Sequence, residues 1–168
     1  MMGSMVADLR KKSDEAWTEL TRQLQGMEPY MERSDAPDEW TTRQVLAHLL
    51  FEDGWKPVPV LESFATHDLP VIEIKPGLAE VTPARRRMTL KDFIHALDTQ
   101  RREVFDYLAR LQAADFQRKA RIPLFKQFMG TDEIAIDVYV GAMFAYHWSD
   151  HAGQFAKIRK TVGLLEAT

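Results

Sequence analysis

The 168-residue chain contains no cysteine. Disulfides are therefore excluded, and any thiol chemistry has to use a thiol brought by a substrate. Long apolar runs are also missing. No stretch approaches the roughly 20 residues that span a bilayer, so no membrane partner is expected. The first residues lack the apolar core of a secretory signal, which makes a cytoplasmic location the expectation. Nor does either sign of charge dominate: 22 basic residues stand against 25 acidic ones, with a net charge of -3. A nucleic-acid binder usually shows a basic face or stripe, and none is evident here. Arg85-Arg86-Arg87 is the one basic cluster, and it reads as a solvated stretch ahead of a helix. Internal repeats and low-complexity segments are absent as well.

The chain does have a large apolar fraction, 45% of residues, which is enough for the core of a single domain. That domain is expected over 5–166, because the opening MMGSM resembles an expression remnant. Val6, Leu9, Trp17, Leu20, Leu24 and Met27 approximate a 3.6-residue period, which predicts a helix over about 5–32 ending at Pro29. Residues 33–40 are polar and read as a loop. Thr41-Thr42-Arg43-Gln44 fits a capping box, opening a second helix through Val45, His48, Leu49, Glu52 and Trp55. Pro57 and Pro59 are expected to kink or break it, with a short helical continuation to about Ala65. Residues 66–88 form a long connection of the kind that often carries function. Thr89-Leu90-Lys91-Asp92 starts a third helix, amphipathic to about 112. The segment 113–130 reads as irregular or as a small hairpin. A last helix is expected from near Thr131-Asp132-Glu133, where acidic residues suit the helix dipole, to about Leu165. Four long helical segments without a set of strands predict an all-α four-helix bundle with long connections between helices two and three and between three and four.

Histidine carries the clearest chemical signal. His147 and His151 are one helical turn apart, so their rings can converge on one ion. Val140, Met143, Phe144, Phe155 and Ile158 share their face, which should therefore point into the bundle. His48 lies on the apolar stripe of the second helix. Bundle cores are where helical proteins build metal sites, and three neutral nitrogens would leave a coordination position open. Spacing alone does not separate this reading from three satisfied core histidines. His67, in the connection, and His95, near a polar flank, read as solvated. Trp148, Trp55, Phe144 and Tyr146 are candidates for lining a pocket, although aromatics at helical spacing more often form core. Tyr146 would add a hydroxyl.

The stretches Val45-Leu46-Ala47-His48-Leu49 and His147-Trp148-Ser149-Asp150-His151-Ala152-Gly153-Gln154 resemble the DinB/YfiT-like family of four-helix bundles. That family carries one histidine on the second helix and an H-x3-H pair on the last, often followed by Gly-Gln. The resemblance covers nearly the whole chain. It implies a divalent metal, zinc or nickel, on His48, His147 and His151. It implies a small-molecule substrate, and a homodimer as the assembly. Some relatives are transferases or isomerases that use a low-molecular-weight thiol such as mycothiol or bacillithiol. Others are metal-dependent hydrolases, and many have no known activity. The family name refers to damage induction and implies no DNA binding. Asp150 departs from the pattern, in which a histidine or polar residue often precedes the last ligand, and no residue here fixes a thiol cofactor.

Around such a centre, Glu52 is one turn from His48, placed to orient that ring, to act as a base or to be a fourth ligand, or else to be an exposed salt-bridge residue. Gln154, at i+3 from His151, can orient that ring or simply bond to a neighbouring helix. Asp150 is expected to face away. No catalytic residue is assigned. Two functional classes follow. One is a metal-dependent enzyme acting by thiol transfer or isomerisation, with hydrolysis as the alternative. The other is a non-catalytic metal-binding or stress-related bundle.

Overall fold

The computed structural model describes residues 2–51, 56–75, 77 and 79–168. Helix α1 covers Met2–Leu24, α2 Thr42–Leu49, α3 Pro57–Thr66, α4 Pro83–Arg86, α5 Leu90–Leu108 and α6 Ala113–Phe116. Strand β1, Lys119–Arg121, leads through a 3-10 turn at Pro123–Phe125 into α7, Lys126–Met129. Strand β2 is Glu133–Ala135. The final helical segment has three parts: α8 Ile136–Gly141, a π turn Ala142–Tyr146 and α9 His147–Thr161. Helix α1 packs along α9 and the π turn, while α5 closes the bundle against α1, α2 and α3. Leu20, Leu24, Val45, Leu46, Leu49, Phe93, Leu97, Phe105, Phe144, Trp148 and Phe155 fill its centre. Each large apolar side chain contributes about 1.5–3 kcal/mol by leaving water. Among the described residues, no helix is long and apolar enough to cross a membrane.

The helix starts follow the local chemistry. Thr41 accepts the Gln44 N–H, and Gln44 Oε1 accepts the Thr41 N–H at 2.8 Å, which completes the capping box. Thr89 and Asp92 form the same reciprocal pair at α5. Pro57 occupies the first position of α3, where the missing N–H costs nothing, so proline starts this helix.

Several boundaries differ from expectation. Helix α1 begins at Met2, a turn before the expected start, and Met5 packs against the core. It ends at Leu24, well before Pro29, because Gly26 takes a left-handed φ of 77°. Helix α5 stops at Leu108, short of 112. Residues 133–135 form a strand, not the start of the last helix. They pair antiparallel with β1 in the register Ala120↔Ile134, burying both of those side chains. The acidic residues there serve Arg121, 3.3 Å from both Asp132 and Glu133. The last helix ends at Thr161, not Leu165. There the Gly163 N–H bonds to the Lys160 carbonyl and the Leu164 N–H to the Arg159 carbonyl, a Schellman ending around Gly163.

The connection 66–88 is anchored. Ile72 is buried, and its N–H donates to the Arg121 carbonyl at 2.8 Å, while Arg121 N–H donates to Pro70. Arg85 overturns the solvated reading of the arginine run: it is buried, whereas Arg86 and Arg87 are exposed. Its guanidinium faces the C-terminal end of α2, whose last carbonyls lack helical partners and attract a cation.

Candidate metal centre

Helix α2 spans only eight residues and ends just after His48. Leu50 is already extended, with φ -92° and ψ 104°. This early stop exposes carbonyls that the rest of the fold has to satisfy. Arg85 donates to the Ala47 carbonyl at 2.6 Å and also to that of Leu50. Buried Gln100 of α5 donates to the Leu49 carbonyl at 3.1 Å and accepts the Phe51 N–H at 3.0 Å. The backbone on both sides of His48 is thereby fixed from two directions. Gln100 carried a readable signal, a polar residue at i+3 from Leu97 and i-4 from Val104 within the apolar stripe of α5.

The other two histidines open α9. The π turn immediately before His147 widens the helix, a feature often found at functional positions. Val140, Met143, Phe144, Phe155 and Ile158 are all buried, as expected for the histidine face.

His48, His147 and His151 meet. The Nε2 atoms of His48 and His147 are 3.0 Å apart, and those of His151 and His147 are 3.1 Å apart. One ring nitrogen from each residue lies within 4.8 Å of the others. A ring nitrogen carries either one proton or one in-plane lone pair. Nε2 of His147 can therefore satisfy only one of its two contacts as an ordinary hydrogen bond. A shared cation satisfies both. Two nitrogens each bonded to one tetrahedral zinc would lie about 3.3 Å apart, so the observed spacing suits that donor set.

The protonation pattern agrees. Gln154 Oε1 lies 2.8 Å from His151 Nδ1 and accepts its proton, leaving the lone pair on Nε2. Burial, followed by the neighbouring His151 and His48, holds the His147 pKa down to about 3. All these influences keep that imidazole neutral, which is the form that can donate to a metal.

Glu52 and Trp55 lie outside the described residues. Asp150 is exposed, and so are His67 and His95. Tyr146 is 75% exposed and does not line a pocket beside the histidines. Phe144 and Trp148 are core: their rings meet edge-on at 4.8 Å, and Trp17 packs on Trp148 at 5.6 Å. Among the described residues, the aromatic that does reach the centre is Trp40, from the loop before the α2 cap. Its ring centroid is 4.9 Å from that of His48 and 6.5 Å from that of His151. The signal was a lone tryptophan directly before a capping box.

This combination of bundle and paired ends invites comparison with solved structures. The chain has the fold of YfiT from Bacillus subtilis. The match has a TM-score of 0.72 and covers 95% of this chain and 89% of that one, at 15% sequence identity. YfiT is described as a probable metal-dependent hydrolase with an unusual four-helix bundle topology. The expected four-helix bundle of this type is therefore the observed architecture. At this identity the likeness to YfiT concerns the fold, and the site rests on the side chains described above. No protein-family profile and no curated protein matches the chain.

Proposed function

We propose that the chain is a metal-dependent enzyme acting on small molecules, with His48, His147 and His151 holding one divalent ion, zinc or nickel. The observation that carries this reading is the convergence of two Nε2 atoms, of His48 and His151, on that of His147, at 3.0 and 3.1 Å, a geometry that hydrogen bonds alone leave unsatisfied. Such an ion supplies Lewis acidity and lowers the pKa of water or a thiol toward neutrality. The chain's own residues do the rest. His48 is held by the clamped end of α2, His151 by Gln154, and His147 by burial in its neutral form. Three protein donors leave room for a reacting group, as catalytic sites require.

Hydrolysis is the reaction favoured by the likeness to YfiT, which is described in those terms. Thiol transfer or isomerisation is the second reading. It draws on the cysteine-free composition, since any thiol then has to arrive from outside the chain. The test begins with elemental analysis by mass spectrometry of tag-free protein beside His147→Ala. About one zinc or nickel per chain, lost in the variant, supports the centre. Protein that takes up neither ion after exposure and desalting sinks it. Ester and amide substrates assayed with and without added low-molecular-weight thiols then separate the two reactions.

A further inference from the structure

Trp40 has a local reason to be where it is. It immediately precedes the N-cap Thr41, and an apolar residue there commonly packs back on the first turns of the helix. That role explains a half-buried apolar residue. It does not explain an indole set against two separate imidazoles. The Trp40 and His48 planes are tilted by 52° at 4.9 Å, and those of Trp40 and His151 are nearly parallel, at 13° and 6.5 Å. Both separations fall in the range of attractive aromatic packing. The His48 and His151 rings in turn meet at 65° and 4.9 Å. One indole therefore braces two of the three candidate ligands, which come from helices far apart in the sequence.

The chemistry of the pair gives this contact a direction. A neutral imidazole gains modestly from packing on indole. An imidazole that has given its Nε2 lone pair to a cation carries part of the positive charge, and the face of tryptophan is the aromatic surface that best attracts such charge. The contact is thus stronger in the ion-bound form than in the free form, and the difference appears as ion affinity.

We infer that Trp40 is a positioning residue of the metal centre: it holds the planes of His48 and His151 and favours their ion-bound form. The inference rests on the proposed metal reading and adds to it a residue that ligates nothing. Outer partners of metal-bound histidines typically contribute 10–100-fold in affinity, and the effect here belongs at the lower end because the contact is between rings and involves no hydrogen bond.

The experiment uses full-length, tag-free protein stripped with a chelator and titrated with Ni2+ alone. Wild type, Trp40→Phe, Trp40→Leu and His147→Ala are compared by competition against a coloured chelator and by intrinsic fluorescence. Trp40→Leu is expected to weaken Ni2+ binding about ten-fold, with Trp40→Phe restoring most of the affinity. Ni2+ quenches nearby indoles. The chain has four tryptophans, so the difference between wild type and Trp40→Phe isolates the share of Trp40. That share is expected to vanish in the phenylalanine variant although the ion still binds. Wild-type affinity in Trp40→Leu overturns the inference while leaving the metal centre standing, and a lower melting temperature with that affinity marks Trp40 as a staple only. Should the leucine variant fail to fold, an unchanged Ni2+ quench in Trp40→Phe is equally decisive against it. Wild type that binds neither Ni2+ nor, in a parallel titration, Zn2+, like His147→Ala, overturns both readings.

Discussion

The environment of His147 contributes to how the metal-free protein responds to acid. Its pKa is about 3 in the folded chain, against an ordinary value of 6.5. Between those values the unfolded chain binds a proton at His147 that the folded chain does not. Acid therefore favours unfolding, and this contribution runs from pH 6.5 downward and is complete near pH 3. Urea midpoints of the chelator-treated wild type should fall more steeply across that window than those of His147→Gln; parallel curves would remove the assigned burial. Gln154 supports a second prediction at this scale. Gln154→Leu keeps three nitrogens but removes the acceptor for the His151 Nδ1 proton, so ion affinity should drop about 10–100-fold with little change in helix content. Chelator competition together with circular dichroism measures both.

At the scale of elements, the short α2 is held by residues outside it. Arg85→Met leaves the Ala47 and Leu50 carbonyls without these donors, at a cost of about 1–3 kcal/mol for each buried group left unsatisfied. Denaturant unfolding should show that loss, and hydrogen exchange should show it concentrated at 46–51. An unchanged midpoint would mean water replaces the guanidinium freely. Gly163→Ala, at φ 82°, should cost about 1–2 kcal/mol by forcing a side chain into the left-handed region. These elements also show what could be read in advance. The capping box at Thr41 and the helix start at Thr89 were legible because all their partners are within three residues. The H-x3-H pair was legible because its members are only four residues apart. Strand β2 was not, since 133–135 become a strand only by pairing with 119–121, and their acidic residues fit a helix start equally well. The buried role of Arg85 was hidden because nothing in an arginine run says which member turns inward. The π turn had no sequence signal, and Trp40 looked like a loop residue until two distant helices brought His48 and His151 to it.

For the whole molecule, the proposed ion would join α2 to α9 across 99 residues of chain. Anything that binds only the folded state stabilises it by mass action. At an ion concentration a thousandfold above Kd this is about 4 kcal/mol, which for a chain of this size corresponds to roughly 10 °C in Tm. Adding a chelator should therefore lower the Tm of the wild type and leave that of His147→Ala unmoved. Equal melting temperatures with and without chelator would place the histidines outside any stabilising site.

One interaction far from the histidines bears on how the chain is made. Arg159 of α9 donates to the carbonyls of Gln23 and Gln25, and Arg22 of α1 donates to Ala167, contacts that span 136, 134 and 145 residues. The end of α1 is thus finished by residues translated more than 130 positions after it. At ordinary elongation rates the wait is on the order of ten seconds. Throughout it, the apolar stripe of Leu20 and Leu24 has neither the partner helix nor the arginine that completes its end. Nascent chains stalled before residue 157 should present α1 to chaperones and proteases, and release past Arg159 should protect it in a single late step.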